Sequence, residues 1–226
     1  MRLWNGWGNE DSDLTMELSD GLRALLEALV GPGTALSQAT LKEVIDKVAN
    51  TRLDDHPLIK TDPETRVRHA RGQSLPDWLE MHGGNVDTFP DGVAFPESSD
   101  QVRDLLVHAK ENNLIVIPYG GGTSVVGHIN PETSEKPVLT IDMGKMNSLL
   151  SIDTESQLAT FGAGTPGPVV EEELKKHGYT LGHFPQSWEL STLGGWVASR
   201  SSGQQSLHYG RIENMFAGGT VETLNG

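Results

Sequence analysis

Three consecutive glycines follow directly after an apolar, β-branched run, and this junction constrains the fold more than any other feature of the chain. The run Leu114–Pro118 predicts a buried strand. The glycines Gly120–Gly122 allow successive backbone N–H groups to converge without interference from Cβ atoms, and Thr123 and Ser124 add hydroxyl groups. Such a loop suits a phosphate or pyrophosphate group. A tight turn that requires glycine explains the same residues, so both interpretations stay open here.

The glycine loop differs from the common nucleotide-binding and hydrolase patterns. No Gly-Lys-Ser/Thr follows it, as a Walker A loop requires, and its spacing is not Gly-x-Gly-x-x-Gly. The segment Gly122–Val126 also misses the Gly-x-Ser-x-Gly nucleophile elbow, which argues against a hydrolase.

A second segment rich in glycine and hydroxyl groups lies between residues 182 and 203. The pair Gly194-Gly195 stands at a short helical pattern and offers backbone donors at a helix start. Ser191 and Thr192 either cap that helix or bind a ligand oxygen, and capping is the commoner role of such residues. Arg200 lies in an otherwise uncharged stretch and is a candidate to balance an anion.

Strand and helix signals are mixed along the rest of the chain without a strict βαβ rhythm, which predicts an α+β or irregular α/β class. One helix is predicted to begin after Ser98, with Gln101 completing a capping box, and another after Thr165 as the N-cap. Trp4–Gly8 places two aromatic residues among glycines and predicts a packed turn. Further strands are predicted at 92–96, 138–141 and 158–161, and further helices at 41–48 and 75–81.

Composition excludes several classes of function. The formal net charge of −14 makes binding to nucleic acid or to an anionic membrane surface a poor expectation. The absence of cysteine removes thiolate nucleophiles, zinc–thiolate sites and iron–sulfur clusters. The eight histidines show no metal-ligand spacing, so no metal site is expected. No apolar stretch is long enough to span a bilayer, and a cytoplasmic protein is the expectation.

Taken together, the motifs resemble a known flavoprotein family. Pro118–Ser124 reads Pro-x-Gly-Gly-Gly-Thr-Ser, Gly162–Thr165 reads Gly-x-Gly-Thr, and Ser191–Gly195 is followed by Ser-Arg-Ser-Ser-Gly. This set, in this order, resembles the FAD-binding domain of the vanillyl-alcohol oxidase and p-cresol methylhydroxylase (PCMH) family. Within it, Trp4–Gly8 and Tyr209–Asn214 are most similar to the alkylglycerone-phosphate synthases.

The resemblance implies the fold, the cofactor and its contacts. The fold would be α+β, a two-subdomain PCMH-type FAD-binding fold that holds FAD between its halves. Around the pyrophosphate it implies Pro118, Tyr119, Gly120, Gly121, Gly122, Thr123 and Ser124. Towards the ribityl chain and isoalloxazine it implies Gln186, Ser187, Ser191, Thr192, Gly194, Gly195, Ser199, Arg200, Ser201 and Ser202. Gln186 departs from the synthase pattern, where an aspartate is usual.

The resemblance also implies the organisation and activity of a longer enzyme. Residues 1–90 would be a partly helical segment packed on a flavin domain at 91–226. A substrate cap with the catalytic tyrosine and histidine cluster is expected outside this chain, so no catalytic residue is assigned. The parent enzyme would bind a small-molecule substrate and exchange the acyl chain of acyl-dihydroxyacetone phosphate for a fatty alcohol. A homodimer is a further expectation.

Three other functions stay open. Relatives that share the loop include FAD-linked dehydrogenases of 2-hydroxy acids such as lactate or 2-hydroxyglutarate. A flavin-binding module without chemistry of its own is a second alternative. An interaction module, in which the glycines serve only turns, is the third and predicts no ligand.

Overall fold

A mixed sheet of four short strands lies at the centre of the fold, and a separate two-stranded hairpin follows it. The computed structural model describes residues 2–11, 18–34 and 36–225. The strands are β1 (Ile59–Lys60), β2 (Gly92–Ala94), β3 (Ile115–Tyr119), β4 (Val138–Asp142), β5 (Leu149–Asp153) and β6 (Leu158–Phe161). The helices are α1 (Asp20–Val30), α2 (Leu41–Ile45), α3 (Pro63–Arg68), α4 (Leu75–Gly83), α5 (Ser99–Glu111), α6 (Gly167–Lys175), α7 (Leu193–Ser199), α8 (Ser206–Tyr209) and α9 (Ile212–Met215), with a 3-10 turn at Met143–Lys145. Within the described ranges, none of the helices has the length and apolar character needed to cross a bilayer.

The central sheet runs in the order β1-β2-β4-β3, with β2, β4 and β3 parallel and β1 antiparallel to β2. The strand predicted at Leu114–Pro118 is confirmed as β3, but its predicted burial is wrong. Because β3 is an edge strand, Ile115 and Pro118 are exposed. An edge position tolerates Pro118, which has no N–H group to donate to a second neighbour.

Helix α5 confirms the helix predicted after Ser98 and packs on the sheet. The Ser98 hydroxyl accepts the Gln101 N–H at 3.3 Å. The reciprocal half of the predicted capping box is wrong, since the Gln101 side chain accepts from the Glu97 N–H at 2.7 Å instead. Leu105 of the helix is fully buried in a cluster with Leu139 of β4, so the apolar stripe faces the sheet as the spacing predicts.

Helix α6 begins one residue later than the sequence predicts, at Gly167. Its N-cap is Pro166, and no side chain caps it. Thr165, the predicted cap, instead donates its hydroxyl hydrogen to the Gly162 carbonyl at 2.7 Å and is completely buried. The Gly162–Thr165 turn is therefore closed on itself by a side chain.

The first part of the chain is built into the sheet. Strand β1 pairs with β2, and Arg52 forms an ion pair with the buried carboxylate of Asp91 at 2.7 Å. The packed turn predicted at Trp4–Gly8 is confirmed, because the Leu3 N–H donates to the Gly8 carbonyl at 3.0 Å. Trp4 then packs against a core cluster formed by Val44, Val67, Ala70, Met81 and Val86.

Candidate functional site

Several backbone segments converge on a cleft of about 420 Å³ at the carboxyl ends of β3 and β4. In parallel sheets these strand ends are where ligands bind. The lining comes from residues 2–4, the end of α3 and the segment after it (67–73), the glycine loop (119–121), the turn after β4 (142–147), and residues 164–166 and 190–192.

Glycine brings these segments into contact. A Cβ atom on Gly120 would lie 2.5 Å from the Thr192 hydroxyl oxygen, and one on Gly121 would overlap the Leu190 carbonyl. Gly164 meets the Met143 carbonyl in the same way. No larger residue fits at these positions unless the backbones separate, so the glycines set the width of the cleft.

The glycine loop keeps its donors free. Among the described residues, none accepts a hydrogen bond from the backbone N–H groups of Gly121, Gly122 or Thr123. Gly122 is buried and has φ +66°, a left-handed conformation that turns the backbone sharply. Unpaired N–H groups in such a turn form a concave anion site. This arrangement fits the pyrophosphate of FAD, the cofactor that the sequence motifs imply.

Sequence reasoning missed a polar pair beside the loop. His69 contacts the Asp142 carboxylate through Nε2 at 2.9 Å and the Thr65 carbonyl through Nδ1 at 2.7 Å. Its ring centroid lies 4.7 Å from that of Tyr119, and burial raises the pKa of Tyr119 to about 12. Asp142 and Tyr119 end the neighbouring parallel strands β4 and β3, and that position is the signal that indicates them.

Three arginines also line the cleft, and all were missed. Arg68 pairs with Glu64 at 2.9 Å and Arg71 pairs with Glu80 at 2.6 Å. Arg2 differs, because its guanidinium donates to the Gly121 carbonyl at 2.6 Å and forms no ion pair with any described residue. Positive charge therefore stands directly at the glycine loop.

The backbone N–H groups of Gly194 and Gly195, predicted as ligand donors at a helix start, form hydrogen bonds within the protein. The Gly194 N–H donates to the Ala163 carbonyl at 2.8 Å, and the Gly195 N–H to the Thr192 hydroxyl at 3.3 Å. The Ser191 hydroxyl donates to a backbone carbonyl and accepts from the indole N–H of Trp196 at 2.6 Å. Of the two roles left open for Ser191 and Thr192, the structure shows Thr192 capping α7.

The remaining predicted residues lie outside the cleft lining. Arg200 is exposed and pairs with Glu213 at 2.8 Å, so its guanidinium balances a carboxylate of the protein. Ser199 donates back to the Gly195 carbonyl, and Ser201 contacts His183 Nε2 at 3.1 Å. Tyr119, Gly120, Gly121 and Thr192 are the predicted residues among the cleft lining. The other predicted residues are not among it: Pro118, Gly122, Thr123, Ser124, Gln186, Ser187, Ser191, Gly194, Gly195, Ser199, Arg200, Ser201 and Ser202.

Two buried polar atoms of this region have no hydrogen-bond partner among the described residues. They are Nδ1 of His183 and Nε1 of Trp188. Burial lowers the pKa of His183, because it disfavours the charged ring. No group of three or more potential metal ligands occurs in the described ranges.

Comparison with known proteins accounts for this geometry. Residues 90–226 match the FAD binding domain family over most of the chain. The chain belongs to this family. The predicted flavoprotein membership is thereby confirmed, as is FAD as the cofactor, and the partner-free loop donors described above fit its pyrophosphate.

Within this family, the chain is similar to several alkyldihydroxyacetonephosphate synthases. The chain is 41% identical over 175 residues to the alkyldihydroxyacetonephosphate synthase of Dictyostelium discoideum, covering 74% of this chain and 29% of that protein. It is 40% identical over 167 residues to the synthase of Trypanosoma brucei brucei, covering 73% of this chain and 27% of that one. A solved alkyldihydroxyacetonephosphate synthase superposes with a TM-score of 0.78 at 31% identity, over 94% of this chain and 46% of that structure.

These matches confirm the α+β, PCMH-type fold and the likeness to the synthases. They cover only part of each synthase. The chain spans between about a quarter and a half of the length of the synthases that it matches. A relative outside the synthases, the cytochrome-linked D-lactate dehydrogenase 1 of Saccharomyces cerevisiae, is 28% identical over 150 residues, covering 66% of this chain and 25% of that protein.

Proposed function

We propose that this chain is the FAD-binding part of an enzyme of the alkyldihydroxyacetonephosphate synthase type. The observation that carries the proposal is the glycine loop, whose N–H groups at Gly121–Thr123 have no acceptor among the described residues and whose Gly121 lines the cleft. Identities of 41% and 40% to two synthases, against 28% to a D-lactate dehydrogenase, support this branch of the family.

In the proposed complex the pyrophosphate lies on the segment Pro118–Ser124, held by backbone N–H groups and by the hydroxyls of Thr123 and Ser124. The segments 186–195 and 199–202 face the ribityl and isoalloxazine side with neutral amides and hydroxyls. Arg200 contributes its backbone there, since its side chain is paired with Glu213. When bound, FAD supplies the chemistry at the substrate carbon, and this chain binds and orients it.

Titration with FAD tests the cofactor assignment. We expect saturable quenching of flavin fluorescence and a flavin absorption spectrum on the purified chain. Gly121→Val should abolish binding, because the added side chain overlaps the Leu190 carbonyl. Gly33→Val is the matched control, since a Cβ at Gly33 meets nothing within 4 Å. A folded wild-type chain that binds no FAD would refute the proposal.

The activity is tested on the longer gene product that contains this chain. The synthase proposal expects exchange of the acyl chain of acyl-dihydroxyacetone phosphate for a fatty alcohol, without net oxidation. The second candidate, a 2-hydroxy-acid dehydrogenase, is favoured by relatives at 28% identity such as the yeast enzyme. It expects loss of the oxidised flavin absorbance when D-lactate is added without oxygen. A product that binds FAD and does neither is the non-catalytic flavin module.

The organisation of the protein belongs to the same proposal. We divide the chain into a segment at 1–90 and a flavin domain at 91–226, supported by the family match that spans residues 90–226. Limited proteolysis with mass spectrometry tests the division. The proposal also includes a homodimer, which analytical ultracentrifugation tests. It further includes a cytoplasmic location, which cell fractionation tests.

A further inference from the structure

The N-terminal hairpin places a cation on the glycine loop. Residues 2–9 fold back on themselves, with Arg2 bridged antiparallel to Asn9 and the Leu3 N–H bonded to the Gly8 carbonyl. Arg68 of α3 holds the hairpin, donating to the Arg2 carbonyl at 2.9 Å and pairing with Glu10 at 3.2 Å. These main-chain contacts hold Arg2 beside the glycine loop, where its guanidinium donates to the Gly121 carbonyl.

The Arg2 side chain has donors that no described residue uses. A guanidinium carries five N–H donors. Among the described residues, Arg2 uses its side chain in one hydrogen bond, to the Gly121 carbonyl at 2.6 Å. Arg2 lines the same cleft as Gly121, whose N–H group has no acceptor among the described residues. Arg2 and Tyr119 both line the cleft, and the charge of Arg2 opposes the burial that raises the pKa of Tyr119.

The other charges that line the cleft are already compensated. Arg68 and Arg71 each pair with carboxylates. The carboxylate of Asp142 accepts from His69 at 2.9 Å and from the Gly144 N–H at 2.7 Å. In a chain with a net charge of −14, Arg2 stands out because it lies against the glycine loop without an ion-pair partner among the described residues.

The geometry points to Arg2 as the cation of the cofactor site, binding the FAD pyrophosphate together with the N–H groups of the loop. This inference rests on the proposed function, because it presupposes that FAD occupies the cleft. It adds a residue that the glycine motif does not contain, and it makes the N-terminal hairpin one wall of the flavin site. Arginine suits this role because its planar fork matches phosphate oxygens.

The test measures the dissociation constant for FAD by quenching of flavin fluorescence, at low and at high salt. Arg2→Gln should weaken binding about tenfold or more at low salt, as expected for a lost charge-assisted hydrogen bond. Arg2→Lys keeps the charge but not the planar guanidinium, so its dissociation constant should lie between those of the wild type and Arg2→Gln. Arg23→Gln is the matched control, because it removes the same charge from the exposed helix α1.

Salt separates a direct contact from a structural one. The wild-type dissociation constant should rise with ionic strength, and that dependence should be smaller in Arg2→Gln, since screening acts on the charge that was removed. The unfolding midpoint of the FAD-free protein should be the same in the Arg2 and Arg23 variants. Arg2→Gln binding FAD as tightly as Arg23→Gln would overturn the inference. So would weaker binding with unchanged salt dependence or a lowered midpoint. If the wild type itself binds no FAD, the proposed function fails first.

Discussion

Replacing Gly122 by alanine tests whether the glycine loop has its shape for the reason given above. Gly122 has φ +66°, and a Cβ there would overlap the hydroxyl of Tyr119 and lie 2.6 Å from its Cζ. Gly127 is a matched control, with φ +72° and no atom closer than 3.5 Å to the added Cβ. The two substitutions thus share the backbone strain and differ in the steric overlap.

The expected difference between these variants follows from those contacts. The left-handed conformation costs a non-glycine residue about 1–2 kcal/mol, and this applies to both. Overpacking against the buried Tyr119 ring adds about 1–3 kcal/mol for Gly122→Ala alone. In a chain of 226 residues, a difference of about 2 kcal/mol lowers the melting temperature by about 4–8 °C more than in the control.

Thermal and urea unfolding measure this difference, and FAD titration measures its effect on the site. We expect Gly122→Ala to lose FAD affinity and Gly127→Ala to keep it, because only the first displaces the loop donors. Tyr119→Phe removes the oxygen that the new Cβ overlaps and should restore part of the stability of Gly122→Ala. Equal melting temperatures for the two glycine variants would refute the reasoning.

Three further substitutions test the packing and charge around the site. Burial pushes the pKa of Asp91 up, but Arg52 and nearby backbone N–H groups outweigh it and hold the pKa below its usual value. The stabilisation is therefore complete above about pH 4 and lost as pH falls through the folded-state pKa, and urea unfolding of Asp91→Asn should show a flatter acid limb. Ser191→Ala leaves the buried indole N–H of Trp196 without its acceptor and should lower the free energy of unfolding by about 1–3 kcal/mol. Burial lowers the pKa of His183 in the folded protein, so as pH falls the unfolded chain binds the proton at a higher pH than the folded chain does. Stability should then fall as pH drops below about 6.5, and His183→Asn should remove that part of the slope.

Local signals predicted the elements, and long-range pairing decided their environment. Strand β2 and helix α5 were predictable because an apolar run covers the strand and a serine cap directly precedes the helix. The position of β3 at the sheet edge was not, since it depends on β4, which enters the sheet between β2 and β3. A continuous apolar run is therefore compatible with both an inner strand and an edge strand.

The same distinction holds for the candidate site. The glycine loop was found because its members are contiguous in sequence. His69 and Asp142 are 73 residues apart, and Arg2 and Gly121 are 119 apart, so no local pattern joins them. Arg200 shows the opposite failure. No other charged residue lies near it in the sequence, yet it forms an ion pair with Glu213, thirteen residues further along the chain.

The two interpretations of the glycine loop, a tight turn and an anion cradle, are not alternatives in this fold. The Cα atoms of Gly120 and Gly121 must be free of side chains because the segment 190–192 packs directly against them. That packing involves the Cα positions and leaves the backbone N–H groups of Gly121 and Gly122 without a partner in the described chain. Architecture therefore requires the glycines, and the donors that it leaves unpaired are what an anion would use. A substitution at Gly121 consequently tests both roles at once. A substitution at Arg2, whose one side-chain hydrogen bond within the described residues is to the Gly121 carbonyl, tests the anion site.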